Sequence, residues 1–111
     1  MGDHRLIPML NKMLYSEKYC DIAAGRLLRL EGTGAMAKVV PILKWTDGIR
    51  SEAVIFLIEQ YPTSVGKEAL KGFISDRESF KCWEETVKRA KETLTKVEQV
   101  LAKEAKVVQS Q

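Results

Sequence analysis

Histidine, cysteine and asparagine are scarce in this sequence. The 111 residues include one histidine (His4), one asparagine (Asn11) and two widely separated cysteines, Cys20 and Cys82. A nucleophilic triad would have to recruit its only imidazole from the N-terminal end of the chain. A zinc site would need both cysteines together with His4 and a carboxylate. We therefore expect neither chemistry, and we expect both cysteines to be buried free thiols.

Long apolar runs and a charge excess of one sign are also missing. Charges interrupt every apolar run well before the roughly 18 residues that suggest a membrane span, and no signal-peptide pattern opens the chain. We expect a cytoplasmic protein that does not enter a membrane. The net charge is +3, from 18 basic and 15 acidic residues that are interleaved along the chain. The 12 lysines and 11 glutamates, beside so little asparagine and histidine, suggest a thermophilic source.

Strand-like alternation is absent, which leaves helix as the main secondary structure. We predict an all-α fold in a single domain (1–111), an antiparallel helical bundle of three long helices plus one short helix. The predicted segments are a helix A from about Asp3 to Leu30, a helix B from about Thr33 to Gln60, a short helix from about Val65 to Ile74, and a long last helix from Ser75 to about Val108.

Apolar residues recur at helical spacing along helices A and B. The face of helix A carries Leu6, Leu10, Met13, Glu17, Ala24 and Leu28. The face of helix B carries Met36, Val40, Leu43, Asp47, Arg50, Val54, Leu57 and Tyr61. Helix B contains Pro41, which predicts a kink or a short first segment. Gly32-Thr33-Gly34-Ala35-Met36-Ala37 matches a dinucleotide-binding fingerprint, but no strand precedes it, so we interpret it as a turn between the two helices.

Residues 46–53, TDGIRSEA, allow two interpretations. Asp47-Gly48 is a turn signal, so a new helix capped by Ser51 could begin here. Alternatively, the apolar face of helix B continues through the stretch and places Asp47 and Arg50 inside the bundle. The periodicity favours the continuous helix.

The last helix has the clearest pattern. Ser75-Asp76-Arg77-Glu78 fits a capping box. Apolar residues then follow at spacings of three and four, as in a coiled-coil seam: Phe80, Trp83, Val87, Ala90, Leu94, Val97 and Leu101. A helix of this length would extend about 48 Å, beyond a compact monomer. We therefore expect self-association, as a homodimer, through its exposed part.

Carboxylates on the predicted apolar faces are the candidate site residues. Glu17 and Asp47 fall on the faces of helices A and B, and Glu78 lies near the start of the last helix. Carboxylates that point into a bundle form di-iron and di-manganese sites. The alternative is a buried or half-buried ion pair of Glu17 or Asp47 with Arg50.

The segment LNKMLYSEKYCDIAAGRLLRL (Leu10 to Leu30) resembles the first helix of ferritin-like proteins of the bacterioferritin and rubrerythrin types. In those families a metal-binding glutamate follows a leucine- and asparagine-rich turn, and Glu17 falls at that place. The family's Glu-x-x-His motif on the second helix corresponds here to Gly48 and Ser51, and Glu78 falls near the third-helix glutamate. The resemblance covers helices A and B only. It implies a ferritin-like fold that has lost most of its metal ligands.

Basic residues on the last helix are candidates for nucleic-acid contact: Lys81, Lys88, Arg89, Lys91 and Lys96. Between Asp76 and Val108, however, eight basic and seven acidic residues leave a net charge of only +1. A solvated helix face is therefore the simpler interpretation.

Three functions follow from these patterns. The first is a non-catalytic, oligomeric structural or interaction module that needs no cofactor or metal, with an unidentified protein partner. The second is a nucleic-acid-binding accessory protein that uses the last helix. The third is a carboxylate-bridged metal-binding oxidoreductase that uses Glu17, Asp47 and Glu78.

Overall fold

The predicted all-α fold is confirmed. The computed structural model describes residues 4–109, and the side chains of residues 5–105 within them, so the predicted N-cap Asp3 lies outside the described residues. No strand occurs in the described part of the chain. The α-helices are α1 (Ile7–Met13), α2 (Cys20–Glu31), α3 (Met36–Val39), α4 (Gly48–Gln60), α5 (Ser64–Arg77) and α6 (Glu84–Gln109). Short 3-10 helices cover His4–Leu6, Gly32–Ala35, Val40–Lys44 and Lys81–Trp83.

The prediction that helix A is continuous is wrong. The helix ends at Met13, and a turn separates it from α2, which begins at Cys20. Ser16 stabilises the turn from both its backbone and its side chain, since its carbonyl accepts from the Cys20 N–H at 2.9 Å and its hydroxyl accepts from the Tyr19 N–H at 3.3 Å. Such local side-chain bonds compete with helix hydrogen bonds. The apolar spacing of helix A therefore continues through a segment in which the hydrogen bonds of Ser16 favour a turn.

Helix B is also divided. Gly32 has a positive φ of 78° and ends α2, as the turn interpretation of the glycine pair predicted. Pro41 then lies in the 3-10 helix Val40–Lys44, which ends at Trp45. The chain starts again as α4 at Gly48.

The predicted capping box at Ser75–Glu78 is wrong as well. α5 continues to Arg77 and occupies most of that sequence, and α6 begins at Glu84 after the 3-10 helix Lys81–Trp83. The 26 residues of α6 extend about 39 Å at ~1.5 Å per residue. That length fits within the 44 Å long dimension of the molecule. The length of α6 therefore gives no reason to expect self-association.

The apolar seam of α6 is confirmed from Trp83 to Leu101. Val87, Ala90 and Val97 are buried, and Trp83, Leu94 and Leu101 are partly buried against the same core. Phe80 is the exception, because it precedes the helix and is 58% exposed. Cys20 is buried as predicted, whereas the prediction for Cys82 is wrong, since it is exposed; both are free thiols.

Helices α4 and α6 pack side by side and run in the same direction. Glu52 lies near Arg89, and further along both helices Glu59 lies near Thr93 and Lys96. α5 provides the return path between them. Its first turn, at Gly66, packs against Ile58 near the end of α4, and its last turns, at Phe73, contact Trp83 just before α6.

α2 flanks α4 on the other side, also in the same direction. Arg50 near the start of α4 reaches the carbonyl of Lys18, and Leu57 further along α4 packs against Gly25. The Cα atoms fill a plate of 44 × 40 × 15 Å. In the described residues, no helix is long and apolar enough to cross a membrane.

The close contact of α5 with α4 yields a test of the fold with a matched control. A methyl group on Gly66 would lie 2.8 Å from Ile58 Cγ2, whereas one on Gly72 in the same helix would meet no atom within 4 Å. Isoleucine branches at Cβ and has few rotamers, so its side chain cannot easily move away from the added methyl group. Gly66→Ala should therefore lower the free energy of unfolding by about 1–3 kcal/mol. Gly72→Ala should raise it by up to about 1 kcal/mol through helix propensity. Urea unfolding measures the free energy of unfolding of both variants. An equal change in the two variants would contradict the contact between Gly66 and Ile58.

Candidate functional site

The start of α4 is set by Asp47. Its backbone is extended (φ −77°, ψ 177°), and its Oδ1 accepts a hydrogen bond from the Arg50 N–H at 2.9 Å. This is N-cap geometry, in which a carboxylate satisfies one of the unpaired amides of the first turn. The turn interpretation of TDGIRSEA is therefore correct and the continuous helix is wrong. The cap is Asp47, whereas we expected Ser51 in that case.

Arg50 forms the ion pair that the sequence suggested, with Asp47. Its Nη1 lies 2.7 Å from Asp47 Oδ2, and its Nη2 lies 3.4 Å from the carbonyl oxygen of Lys18. The guanidinium therefore connects the start of α4 to the turn before α2. The pair lies at the edge of the structure, since 26% of the arginine side chain and 54% of the aspartate side chain are exposed. Asp47 was expected on an apolar seam, and that placement is wrong.

Glu17 does not lie on an apolar seam either. It falls in the turn between α1 and α2 and is exposed, because the helix that would have turned it inward ends at Met13. Glu78 follows the end of α5, is exposed, and pairs with Lys91 of α6 at 3.5 Å. The described residues contain no group of three or more His, Cys, Asp or Glu side chains arranged to hold a metal ion.

The two positions where the resemblance places metal ligands are used for packing. Gly48 lies beside the start of α6, where a Cβ atom on it would make ordinary van der Waals contacts of 3.6 Å with Thr86 Oγ1 and 3.9 Å with the Trp83 ring. Ser51 is buried, and its Oγ has no hydrogen-bond partner among the described residues. A histidine at Ser51 would therefore need space that the core does not leave.

Acidic neighbours offset the basic residues of the last helix. Arg89 lies 3.4 Å from Glu52, Lys91 lies 3.5 Å from Glu78, and Lys96 lies 3.6 Å from Glu59. Lys81 and Lys88 are exposed. Three of the five candidates therefore sit beside a carboxylate, which weakens the positive potential that a phosphate backbone needs.

The outer face of α4 carries the feature that sequence reasoning missed. Ile49 is 79% exposed and Phe56 is 56% exposed, although both are large and apolar. They are seven residues apart, nearly two full turns, so they lie on the same side of the helix about 10 Å apart. Ala53 lies between them on that side. We call Ile49, Ala53 and Phe56 the α4 stripe.

The α4 stripe borders a groove between α4 and α6. The groove has a volume of about 580 Å³, and its lining includes the α4 stripe together with Thr93 on α6. Glu52, Glu59, Arg89, Glu92 and Lys96 add charges of both signs to the lining. An apolar strip with a mixed charged rim is the arrangement found in protein interfaces.

The N-cap predicts how stability depends on pH. The backbone hydrogen bond from Arg50 lowers the pKa of Asp47 most, and the positive charge of Arg50 lowers it further, despite some desolvation that raises it. A carboxylate with a lowered pKa stabilises the folded state above its unfolded pKa of about 3.9, and that contribution is lost as the pH falls through the folded value.

Asp47→Asn keeps a capping oxygen but removes the charge. We therefore expect it to unfold at a lower urea concentration than the wild type at pH 7, and this difference should shrink below about pH 4. Glu17→Gln, which removes an exposed charge in the neighbouring turn, is the control and should leave the midpoint unchanged. If the urea midpoints of Asp47→Asn and the wild type differ by the same amount down to pH 2, the charge of Asp47 does not contribute to stability.

Comparisons of the chain with protein-family models, with curated proteins and with solved structures found no match.

Proposed function

We propose that this chain is a small helical interaction module that forms a homodimer through the α4 stripe. The observation that carries the proposal is the exposure of Ile49 and Phe56 on the outer face of α4. Isolated exposed apolar residues are ordinary on protein surfaces, but two large ones aligned on one helix face suggest a covering partner.

The spacing of the α4 stripe favours a second copy as that partner. Ala53 lies close to the midpoint between Ile49 and Phe56. A twofold axis near Ala53 would place two α4 helices antiparallel, with Ile49 of one copy against Phe56 of the other. The small side chain at the centre would let the helices approach closely. Such a self-complementary patch is what a twofold interface requires.

The rim charges are also self-complementary. Glu52 and Arg89 sit together on one part of the groove, and Glu59 and Lys96 sit together further along. The twofold operation brings charges of both signs from one copy to the rim of the other, so no excess of one sign opposes association.

The shape of the molecule adds support. Its accessible surface is 7317 Å², whereas a compact monomer of this mass is expected to expose roughly 6200 Å². A plate 15 Å thick has two broad faces and little interior, so burying one face by pairing would enlarge the core. A structural role of this kind requires no metal or cofactor. The cytoplasmic location, the thermophilic source and the ferritin-like resemblance stay predictions, and the homodimer does not depend on them.

The proposal predicts the mass in solution and its response to charge on the stripe. Light scattering at high micromolar concentration should give twice the mass of the chain. Ile49→Glu and Phe56→Glu should each give a monomer, because each places a carboxylate in an apolar contact. Both residues are exposed in the single chain, so folding should be unaffected.

Val65→Glu provides the matched control, since Val65 is 45% exposed but lies on α5. It should remain a dimer. A wild-type monomer at high micromolar concentration would overturn the proposal. A dimer that persists in both α4 variants would mean that the chain pairs through a different face.

A further inference from the structure

A second cavity lies on the N-terminal half of the chain, away from the α4 stripe. Its volume is about 330 Å³, and it is bordered by α1 with the turn after it, by α3, and by the 3-10 helix Val40–Lys44. Leu14 and Ile42 are buried beneath it, and the side chains that give it chemical character are Asn11, Tyr15, Lys38 and Trp45. The volume is at the small end for ligand pockets and suits one ring system with a short substituent.

Two aromatic side chains line this cavity while remaining open to solvent. Tyr15 is 82% exposed and Trp45 is 40% exposed. Both lie where helices break, in the turn after α1 and at the end of the 3-10 helix. Aromatic rings that stay exposed beside a cavity offer a surface on which a planar ring can stack.

Asn11 adds a polar group with unmet hydrogen-bonding capacity. It is the only asparagine in the sequence, it lines the cavity, and its Oδ1 is buried without a partner among the described residues. An unpaired buried carbonyl oxygen costs free energy, and a ligand donor would recover it once the Asn11 amide turns toward the cavity. A side-chain amide carries both a donor and an acceptor, which is the pattern that pairs with the edge of an adenine ring.

Positive charge is concentrated on this half of the chain. Residues 1–50 contain eight basic and five acidic residues, a net charge of +3, whereas residues 51–111 contain ten of each, a net charge of zero. Lys38 of this half lines the cavity itself. The Lys38 ammonium lies 3.0 Å from Glu31, so an anionic substituent would share this cation with the carboxylate.

We propose that this cavity binds the base of a nucleotide. The base stacks on Tyr15 and Trp45, its edge bonds to the Asn11 amide, and its phosphate lies toward Lys38. A free nucleotide and a single-stranded nucleic acid present the same chemistry, since unstacked bases bind to aromatic side chains in both. This site is separate from the basic face of α6 and does not require the homodimer.

The test uses two probes with the same base, AMP and a short single-stranded oligo(dA), titrated into the full-length protein at low salt. Calorimetry should detect saturable binding of at least one probe. Tyr15→Ala should weaken that binding about fivefold or more, the effect of removing one stacking ring. Asn11→Leu should weaken it as well, because the base edge loses its partner.

Tyr19→Ala is the matched control, since Tyr19 is 42% exposed at the end of the same turn but does not line the cavity. It should bind like the wild type. Binding of AMP identifies a free nucleotide as the ligand, and binding of oligo(dA) alone identifies a single strand; both support the site if Tyr15→Ala weakens them. Failure of both probes to bind at millimolar concentration, or equal binding by wild type, Tyr15→Ala and Asn11→Leu, would overturn it.

Discussion

The guanidinium of Arg77 joins the three segments on which the arrangement of the helices depends. Its central carbon lies 4.5 Å from the centre of the Phe73 ring and 4.9 Å from that of Trp83. Its Nη2 donates to the carbonyl of Leu43 at 2.8 Å. The cation therefore stacks on α5 and on the start of α6 while it caps the end of the 3-10 helix Val40–Lys44. Arginine suits this role because its planar group stacks on rings and donates at its edge.

Helix direction follows from that junction. Phe73 and Trp83 meet edge to face with their centres 5.8 Å apart, so the last turns of α5 are held beside the start of α6. The chain must reverse within the few residues between them. α6 then runs back along α5 and lies parallel to α4, with Gly48 at the start of α4 beside Thr86 of α6. The outer face of α4 is left uncovered by this arrangement, which is why Ile49 and Phe56 are exposed.

Apolar periodicity predicted the fold class and about half of the buried core, because both depend on which residues avoid water. Val54, Val87, Ala90 and Val97 are buried as their spacing indicated. Periodicity could not locate the helix ends, which depend on single hydrogen bonds. Asp47 caps α4 with one carboxylate oxygen. Ser75–Glu78 resembles a cap, but its first three residues belong to α5, where Arg77 has its partners. Tertiary contacts override a local sequence preference of this kind.

The breaks in helices A and B also determine where the candidate chemistry lies. In a continuous helix A, Glu17 would face the core and a buried carboxylate would need a metal or a cation. The turn after Met13 instead leaves Glu17 in water and exposes Tyr15. The break after Lys44 likewise places Trp45 at the surface, where it lines the same cavity as Tyr15. The helix ends that remove the predicted carboxylate site thus create the aromatic walls of the cavity, so both outcomes have the same local cause.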